Sequence, residues 1–222
     1  MKRMCIVVAI ISLAGAVAVL ANSLPSPKHL EQGIGPGVTT VENRAQEYLF
    51  RGDMTAETGL GCSNTTGNSG GPNDIAQGVT ATLTPPMGII QATYNIFTQN
   101  GYITQLAFRA WAGAGPPGAT IASQALTAAQ YSLGTHTVAI APYIPLANQQ
   151  FFFGFNQPQT NAGMRWGLDT SSGPSGTAYI RAPSCGLAAW GTLDSIGYPG
   201  AWVMRVLIDD TVPVELQSFN VE

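Results

Sequence analysis

The chain has 222 residues, of which only 9% are charged, and its formal net charge is −3. An average soluble domain carries roughly 25% charged residues. The composition therefore excludes a long charged coiled coil, a highly charged disordered chain and a basic nucleic-acid-binding domain. Glycine and proline are frequent, with 26 and 15 residues, and the length suits one domain with or without tails. This neutral, Gly-rich and Thr-rich composition favours β-structure outside the cell.

The N-terminus predicts a secretory signal peptide over residues 1–21. Two basic residues precede an apolar run at 4–20, and the tripeptide 19–21 has small residues where a signal peptidase needs them. The alternative is a retained anchor, since the run approaches the roughly 20 apolar residues that span a membrane. Removing 1–21 leaves seven cations and twelve acids, a net charge of −5. We therefore expect a secreted or cell-surface protein with no further membrane span and no nucleic-acid partner.

Cys62 and Cys185 are the cysteines that remain after residues 1–21. Two cysteines in an exported chain are most simply one disulfide, and a buried pair of free thiols is the alternative. A zinc site is disfavoured, because His29 and His136 are the only other soft ligands and nothing has the spacing of a zinc motif.

From residue 45 onwards, short strand-like runs alternate with Gly, Pro, Asn and Ser. Such a pattern predicts an all-β fold, an antiparallel β-sandwich that is jelly-roll-like and carries one disulfide. We expect the sandwich at 45–210, a flexible lead-in or loose first strand at 22–44, and a C-terminal strand or linker at 211–222. Residues 123–130 are the best helix candidate. The predicted strands are 46–51, 76–83, 91–98, 102–111, 119–126, 135–141, 149–156, 162–168, 176–182 and 200–208.

Alternation with a period of two sorts each predicted strand into a core face and a wet face. Four arginines in the middle of predicted strands are assigned to the solvent-facing sides. They either keep the protein soluble and its edges protected or line a polar binding face. These arginines are Arg109, Arg165, Arg181 and Arg205. Assigned to the core are Leu106, Phe108, Ala110, Phe151, Phe153, Phe155, Met164, Trp166, Leu168, Trp202, Met204, Val206 and Ile208.

Trp111 is predicted to face outward beside Arg109 and Gln105. A flat aromatic ring next to guanidinium and amide donors is typical of a sugar-binding surface, because C–H faces stack on the ring and hydroxyls need donors. The alternative is a tryptophan packed under a loop at the rim of a sheet. We take these three residues as the candidate ligand-binding site, and note that Trp190 and Tyr198 lie in a Gly-rich stretch further along.

No catalytic set stands out in the sequence. The segment 67–72, Gly-Asn-Ser-Gly-Gly-Pro, is similar to the nucleophile loop of trypsin-like proteases, but that family places its His and Asp upstream, where too few residues exist for a barrel. Asp74, Asp169 and Asp194 are the acids of the central body, and nothing in their spacing indicates a glycosidase pair. We therefore predict a protein that is not an enzyme, and a secreted hydrolase is disfavoured.

Calcium is the one cofactor that the sequence suggests, because two predicted loops are rich in oxygen ligands. Asn73–Asp74 and Asp209–Asp210 supply the hard ligands that calcium prefers, although their spacing fits no EF-hand and Asx turns explain them equally well. A structural calcium ion is thus an open alternative to no cofactor. Residues 64–66 form a glycosylation sequon, which matters only in a host that glycosylates.

Several stretches resemble secreted bacterial β-sandwich domains of the jelly-roll, galactose-binding-like or carbohydrate-binding-like accessory type. In those domains an aromatic-ended strand leads through a Gly/Pro turn into another strand, as in 108–111, 115–119 and 121–123 here. Residues 71–76, Gly-Pro-Asn-Asp-Ile-Ala, also recur near the start of such domains. The resemblance covers about 50–208, implies the fold, and transfers no catalytic residues.

The last residues, 212–222, resemble the linker strand before C-terminal sorting or anchoring modules in some exported bacterial proteins. Either the sequence is truncated before such a module, or this strand adds to a neighbour's sheet and builds a filament. Our leading hypothesis is a non-catalytic extracellular binding or adhesion module for a glycan. The alternative is a structural subunit of a surface layer or filament, whose partners are copies of itself.

Overall fold

Each strand of the described chain pairs antiparallel with its neighbours, in two sheets that enclose one core. The computed structural model describes residues 45–62, 71–99, 103–160 and 163–210. The seven-stranded sheet contains β1 (Gln46–Phe50), β2 (Thr58–Leu60), β4 (Met87–Gln99), β7 (Gly134–Leu146), β9 (Met164–Asp169), β12 (Ala201–Trp202) and β13 (Met204–Asp209). The six-stranded sheet contains β3 (Asn73–Thr80), β5 (Ala107–Ala112), β6 (Thr120–Ala125), β8 (Gln150–Gln157), β10 (Ala178–Ala182) and β11 (Leu187–Thr192).

The strand order places distant parts of the chain side by side. The first sheet runs β1–β13–β4–β9–β12, with β2 on β9 and β7 on β4, and the second runs β11–β10–β3–β8–β5–β6. The predicted antiparallel β-sandwich is confirmed. The expectations for 1–44, 63–70 and 211–222 lie outside the described residues. No helix in the described ranges is long and apolar enough to cross a membrane.

One expectation about an individual element is wrong, and two strands lie outside the predicted ones. The helix candidate 123–130 begins as strand β6, which pairs along β5, and only Ala128–Tyr131 forms a short 3₁₀ turn. Strands β2 and β11 were not expected, because one has three residues and the other is rich in Ala and Gly. Two further 3₁₀ turns, Pro183–Cys185 and Asp194–Ile196, flank β11.

The core between the sheets is aromatic at its centre. The ring of Phe155 lies 4.4 Å from that of Tyr94, 4.7 Å from that of Trp166 and 5.5 Å from that of Phe108, measured between centroids. All thirteen residues that alternation assigned to the core are buried. Full burial of one such side chain stabilises the fold by about 1.5–3 kcal/mol, so this cluster holds the two sheets together.

The disulfide Cys62–Cys185 ties the two sheets at one side and confirms the predicted pairing. Cys62 follows β2 in one sheet, and Cys185 lies in the turn between β10 and β11 in the other. The bond closes a loop with a sequence separation of 123 residues. The buried side chain of Asn73 fixes this corner, since its Oδ1 accepts the Cys62 N–H at 2.9 Å.

The outer edge of β7 is closed by a side chain from the opposite sheet. Gln124, on β6, donates through Nε2 to the Ala139 carbonyl and accepts the Ala141 N–H through Oε1, both at 3.1 Å. Pro142 and Pro145 also lie in β7, and proline offers no N–H to a further strand. These devices protect β7 from pairing with another chain.

Candidate functional site

The three residues of the predicted ligand site differ in exposure and in the partners they bind. Trp111 is only 3% exposed, so the expectation that it presents an open ring is wrong. Arg109 is half-buried and donates from Nε to Ser123 Oγ at 3.3 Å. Gln105 is exposed, and its backbone N–H is bound to Gln159 Oε1 at 3.0 Å. Trp111 does lie on the face away from the main core, as alternation predicted, but that face is covered.

A second, smaller apolar cluster covers the outer face of the six-stranded sheet. Trp111 packs there with Ala76 and Phe152, and the half-buried rings of Tyr179 and Trp190 pack against them. The rings of Trp111 and Trp190 meet edge to face, with centroids 5.5 Å apart. Tyr179 meets Phe152 in the same way at 5.4 Å.

Small residues in β3 and β8 form the floor under these rings. Ala76 pairs with Gly154 and Gly78 pairs with Phe152 across the two strands. A Cβ at Gly78 would lie 2.6 Å from the Phe152 ring, closer than packed atoms can approach. Trp111, from β5, and Trp190, from β11, can therefore reach toward each other over the middle of the sheet.

A charged pair and an amide lie in one row across three neighbouring strands. The register places Arg181 opposite Asp74, and Asp74 opposite Asn156. Arg181 donates from Nε to Asp74 Oδ2 at 2.8 Å and also from Nη2 to the same oxygen. Asn156 donates from Nδ2 to Asp74 Oδ1. The guanidinium of Arg181 lies over the Trp190 ring, 5.2 Å from its centroid.

We call Trp190, Tyr179, Arg181, Asp74 and Asn156 the Trp190 patch. The Arg181 side chain is 39% exposed, whereas that of Asp74 is 7% exposed. The Arg181 guanidinium is therefore accessible from solvent, and the Asp74 carboxylate holds it in place. Half-buried aromatic rings beside oriented donors suit a ligand with both apolar and hydroxyl surface. Alternation predicts that Tyr179 and Arg181 share one face. The sequence indicated Asp74 only as a central acid and a calcium ligand, and nothing local indicated that it contacts Arg181 and Asn156.

The chain matches no family model, no curated protein and no solved structure. The resemblance to secreted carbohydrate-binding-like domains therefore stays a prediction. The fold and the Trp190 patch supply the observations from which a function can be argued.

Three acidic residues lie close together at a position other than those that the sequence indicated for calcium. Oxygens of Asp53, Glu57 and Asp169 lie within 4.8 Å of one another. Asp169 is fully buried, and its carboxylate accepts the backbone N–H groups of Asp53 at 2.8 Å, Ser171 at 2.9 Å and Ser172 at 3.0 Å. Glu57 in turn accepts the Thr170 N–H through Oε2 at 2.8 Å, so Asp169 and Glu57 join the segment 53–57 to the segment 169–172.

The residues proposed as loop ligands for calcium lie mostly in strands, since Asn73 and Asp74 begin β3 and Asp209 ends β13. Their oxygens bind groups of the protein itself. Asn73 holds the Cys62 N–H, and Asp74 holds Arg181. Asp209 accepts from Gln46 Nε2 at 3.0 Å, and Asp210 accepts the Ala45 N–H at 3.0 Å. Asp74, Asp209 and Asp210 thus join segments that are more than 100 residues apart in the sequence.

Burial raises the pKa of Asp169, but hydrogen bonds from the Ser172 hydroxyl and backbone, the Asp53 backbone and the Ser171 hydroxyl outweigh burial and lower this pKa to about 2. The native state therefore prefers the ionised carboxylate more strongly than the unfolded chain does, whose Asp has a pKa near 3.8. The charge at Asp169 contributes to the stability of the loops around it.

Acidification is expected to remove roughly 2 kcal/mol of stability through Asp169. This contribution is complete above the unfolded pKa and is lost as the pH falls through the unfolded value toward about 2. Urea unfolding across this pH range measures the loss, and Asp169→Asn should remove that part of the pH dependence. Asp53→Asn, in the same cluster but exposed, is the control that should keep it. Parallel acid profiles for Asp169→Asn and the parent would contradict the assignment.

The remaining catalytic candidates have structural partners. His136 contacts the Ser132 carbonyl through Nε2 at 2.8 Å, and its ring lies 5.6 Å from that of Tyr94. Asp194 accepts the Gly176 N–H at 2.7 Å. The protease-like loop lies mostly within 63–70, outside the described residues.

Proposed function

We propose that this protein is a non-catalytic extracellular binding module that holds a carbohydrate on the Trp190 patch. The observation that carries the proposal is the Arg181 guanidinium, which lies over the Trp190 ring and is fixed there by Asp74. Pre-oriented groups of this kind bind without a large entropic cost. The disulfide is compatible with a location outside the cell, where such bonds persist.

The chemistry of the patch suits a sugar. The apolar C–H face of a sugar ring packs against the aromatic side chains of Trp190 and Tyr179. Hydroxyl groups receive hydrogen bonds from Arg181, whose guanidinium has five N–H donors and uses two of them on Asp74. Asn156 lies in the same row and offers an amide.

A role without catalysis is supported by what two of the three central acids do. Asp74 is held by Arg181 and Asn156, and Asp169 is saturated by backbone and serine donors. A general acid or nucleophile needs a carboxyl group that can reach the substrate. In this proposal Asp74 positions Arg181 and leaves the ligand chemically unchanged.

Trp190→Ala is expected to weaken glycan binding at least tenfold, a loss of about 1.4 kcal/mol, because the ring that packs against the sugar is lost. A glycan array identifies the ligand, and titration calorimetry then compares the variants. Phe97→Ala is the matched control, since Phe97 is an exposed aromatic residue on β4 of the other sheet. Thermal melting verifies that both variants are folded. Equal affinities for Trp190→Ala and the parent would refute the site.

Trp111 is a poor reporter for this test. Its buried ring packs in the second apolar cluster with Phe152 and Trp190. Removing it would lower the stability of the sheet face, so any loss of binding would not distinguish a contact from a structural effect.

A further inference from the structure

Strand β1 forms an edge of the seven-stranded sheet without the protection seen at β7. It pairs with β13 on one side, in the register Glu47↔Ile208 and Tyr48↔Leu207, and no other described strand pairs with it. The Asp210 N–H donates to the Ala45 carbonyl at 3.2 Å. Because ladder bonds alternate along an antiparallel pair, the N–H and C=O of Tyr48 point away from β13, toward the free edge.

The side chains of β1 also lack the usual safeguards. The strand contains no proline and no lysine. Its one charged residue, Glu47, is already hydrogen-bonded within the protein. Glu47 Oε2 accepts the N–H groups of Thr82 at 2.8 Å and Leu83 at 3.3 Å. Charges and prolines are the common devices that keep an edge strand from pairing.

Exposed aromatic surface accompanies this edge. Tyr48 is 48% exposed and Phe50 is 44% exposed, on the face opposite the buried Leu49. The guanidinium of Arg205 lies 4.6 Å from the centroid of the Tyr48 ring. Among the described edge strands, β6 has one large exposed apolar residue, Ile121, and β11 has none.

The C-terminal segment has the length and pattern of a strand that fits this edge. Val212, Val214 and Leu216 alternate with Pro213 and Glu215, the period of a strand with one apolar face. These five positions equal the length of β1. Pro213 is tolerated when the residues on either side supply the ladder bonds.

The described chain ends beside β1, the strand that the segment would pair with. Asp210, bonded to Ala45, is the last described residue before it. To reach the free edge of its own β1, the segment would have to cross the chain entering β1 with only Thr211 as a connection. A second copy imposes no such crossing.

We propose that residues 212–216 of one copy add as a strand to the free edge of β1 in a second copy. The added strand satisfies the outward backbone groups of β1 and covers part of the Tyr48 and Phe50 rings. This is β-strand addition. The contact is heterologous, so repetition builds an open chain of subunits unless the geometry closes into a ring. The proposal is independent of the Trp190 patch.

Light scattering coupled to size-exclusion chromatography tests this with a protein that includes residues 212–222. The parent should elute as assemblies whose mass rises with concentration. Tyr48→Pro, which removes the outward N–H, and Val214→Pro, which removes a donor of the added strand, should each yield monomers. Tyr48→Ala is the matched control for Tyr48→Pro, because it removes the ring but keeps the N–H, and it should still assemble. Thermal melting verifies that each variant is folded.

Two outcomes would overturn the proposal. The first is a parent protein that stays monomeric at high concentration. If the β1 amides of such a monomer exchange slowly with deuterium in the parent and quickly in Val214→Pro, the segment lies on its own chain. The second is assemblies that persist in folded Val214→Pro or Tyr48→Pro. A mixture of Tyr48→Pro with Val214→Pro should form heterodimers, because each variant retains the half that the other lacks.

Discussion

Loss of the Cys62–Cys185 disulfide is expected to lower the free energy of unfolding by about 4–5 kcal/mol. The bond closes a loop with a sequence separation of 123 residues, and the entropy that such a loop removes from the unfolded chain grows with its length. One side of the disulfide borders an open surface pocket of about 290 Å³. The bond is the covalent link between the chain that follows β2 and the turn between β10 and β11.

Urea unfolding with and without a reductant measures this loss. The double variant Cys62→Ser/Cys185→Ser should have the stability of the reduced parent and should not respond to the reductant, which makes it the control for other effects of the reagent. A reduced parent that loses less than about 1 kcal/mol would show that residual structure in the unfolded chain already holds this loop closed.

Phe155→Ala is expected to cost about 3–5 kcal/mol of stability, the range for a buried phenylalanine. Phe155 is fully buried, and its ring contacts those of Tyr94, Trp166 and Phe108, which come from both sheets. Close-packed protein interiors relax only partly when a ring is deleted, so the cavity left by the Phe155 ring should persist.

Thermal and urea unfolding measure the effect, with a fall in Tm of about 10 °C. Gln150→Ala is the matched control, because Gln150 lies on the same strand but is exposed, and surface changes of this kind stay within about 0.5 kcal/mol. A loss below about 2 kcal/mol for Phe155→Ala would mean that the neighbouring rings close the gap.

The core was predictable because strand alternation is a local property. Phe151, Phe153 and Phe155 occupy every second position of one strand, and any sheet with one buried face must turn them to the same side. The disulfide was predictable for a different reason, since only one pairing was open to the two cysteines. Neither inference needed the order of the strands.

The binding surface depends on strand order, which local patterns do not contain. Alternation assigns Trp111 to the outer face but does not show that Trp190 covers it, because β5 and β11 are separated by three strands in the sheet. Likewise Asp74 and Arg181 are 107 residues apart in sequence. Their contact follows from the pairing of β3 with β10, which long-range packing decides.

Strands β1 and β7, which each pair on one side only among the described strands of the seven-stranded sheet, differ in whether they admit another strand. The Gln124 amide and two prolines occupy β7, whereas β1 is open on the side away from β13. Each copy joined through β1 thus has one strand edge that accepts a segment and one segment, 212–216, that it donates. The polymer is therefore unbranched, and its two ends differ. A copy without residues 212–222 would act as a chain terminator, and the molar ratio of such copies would set the mean length of the polymer.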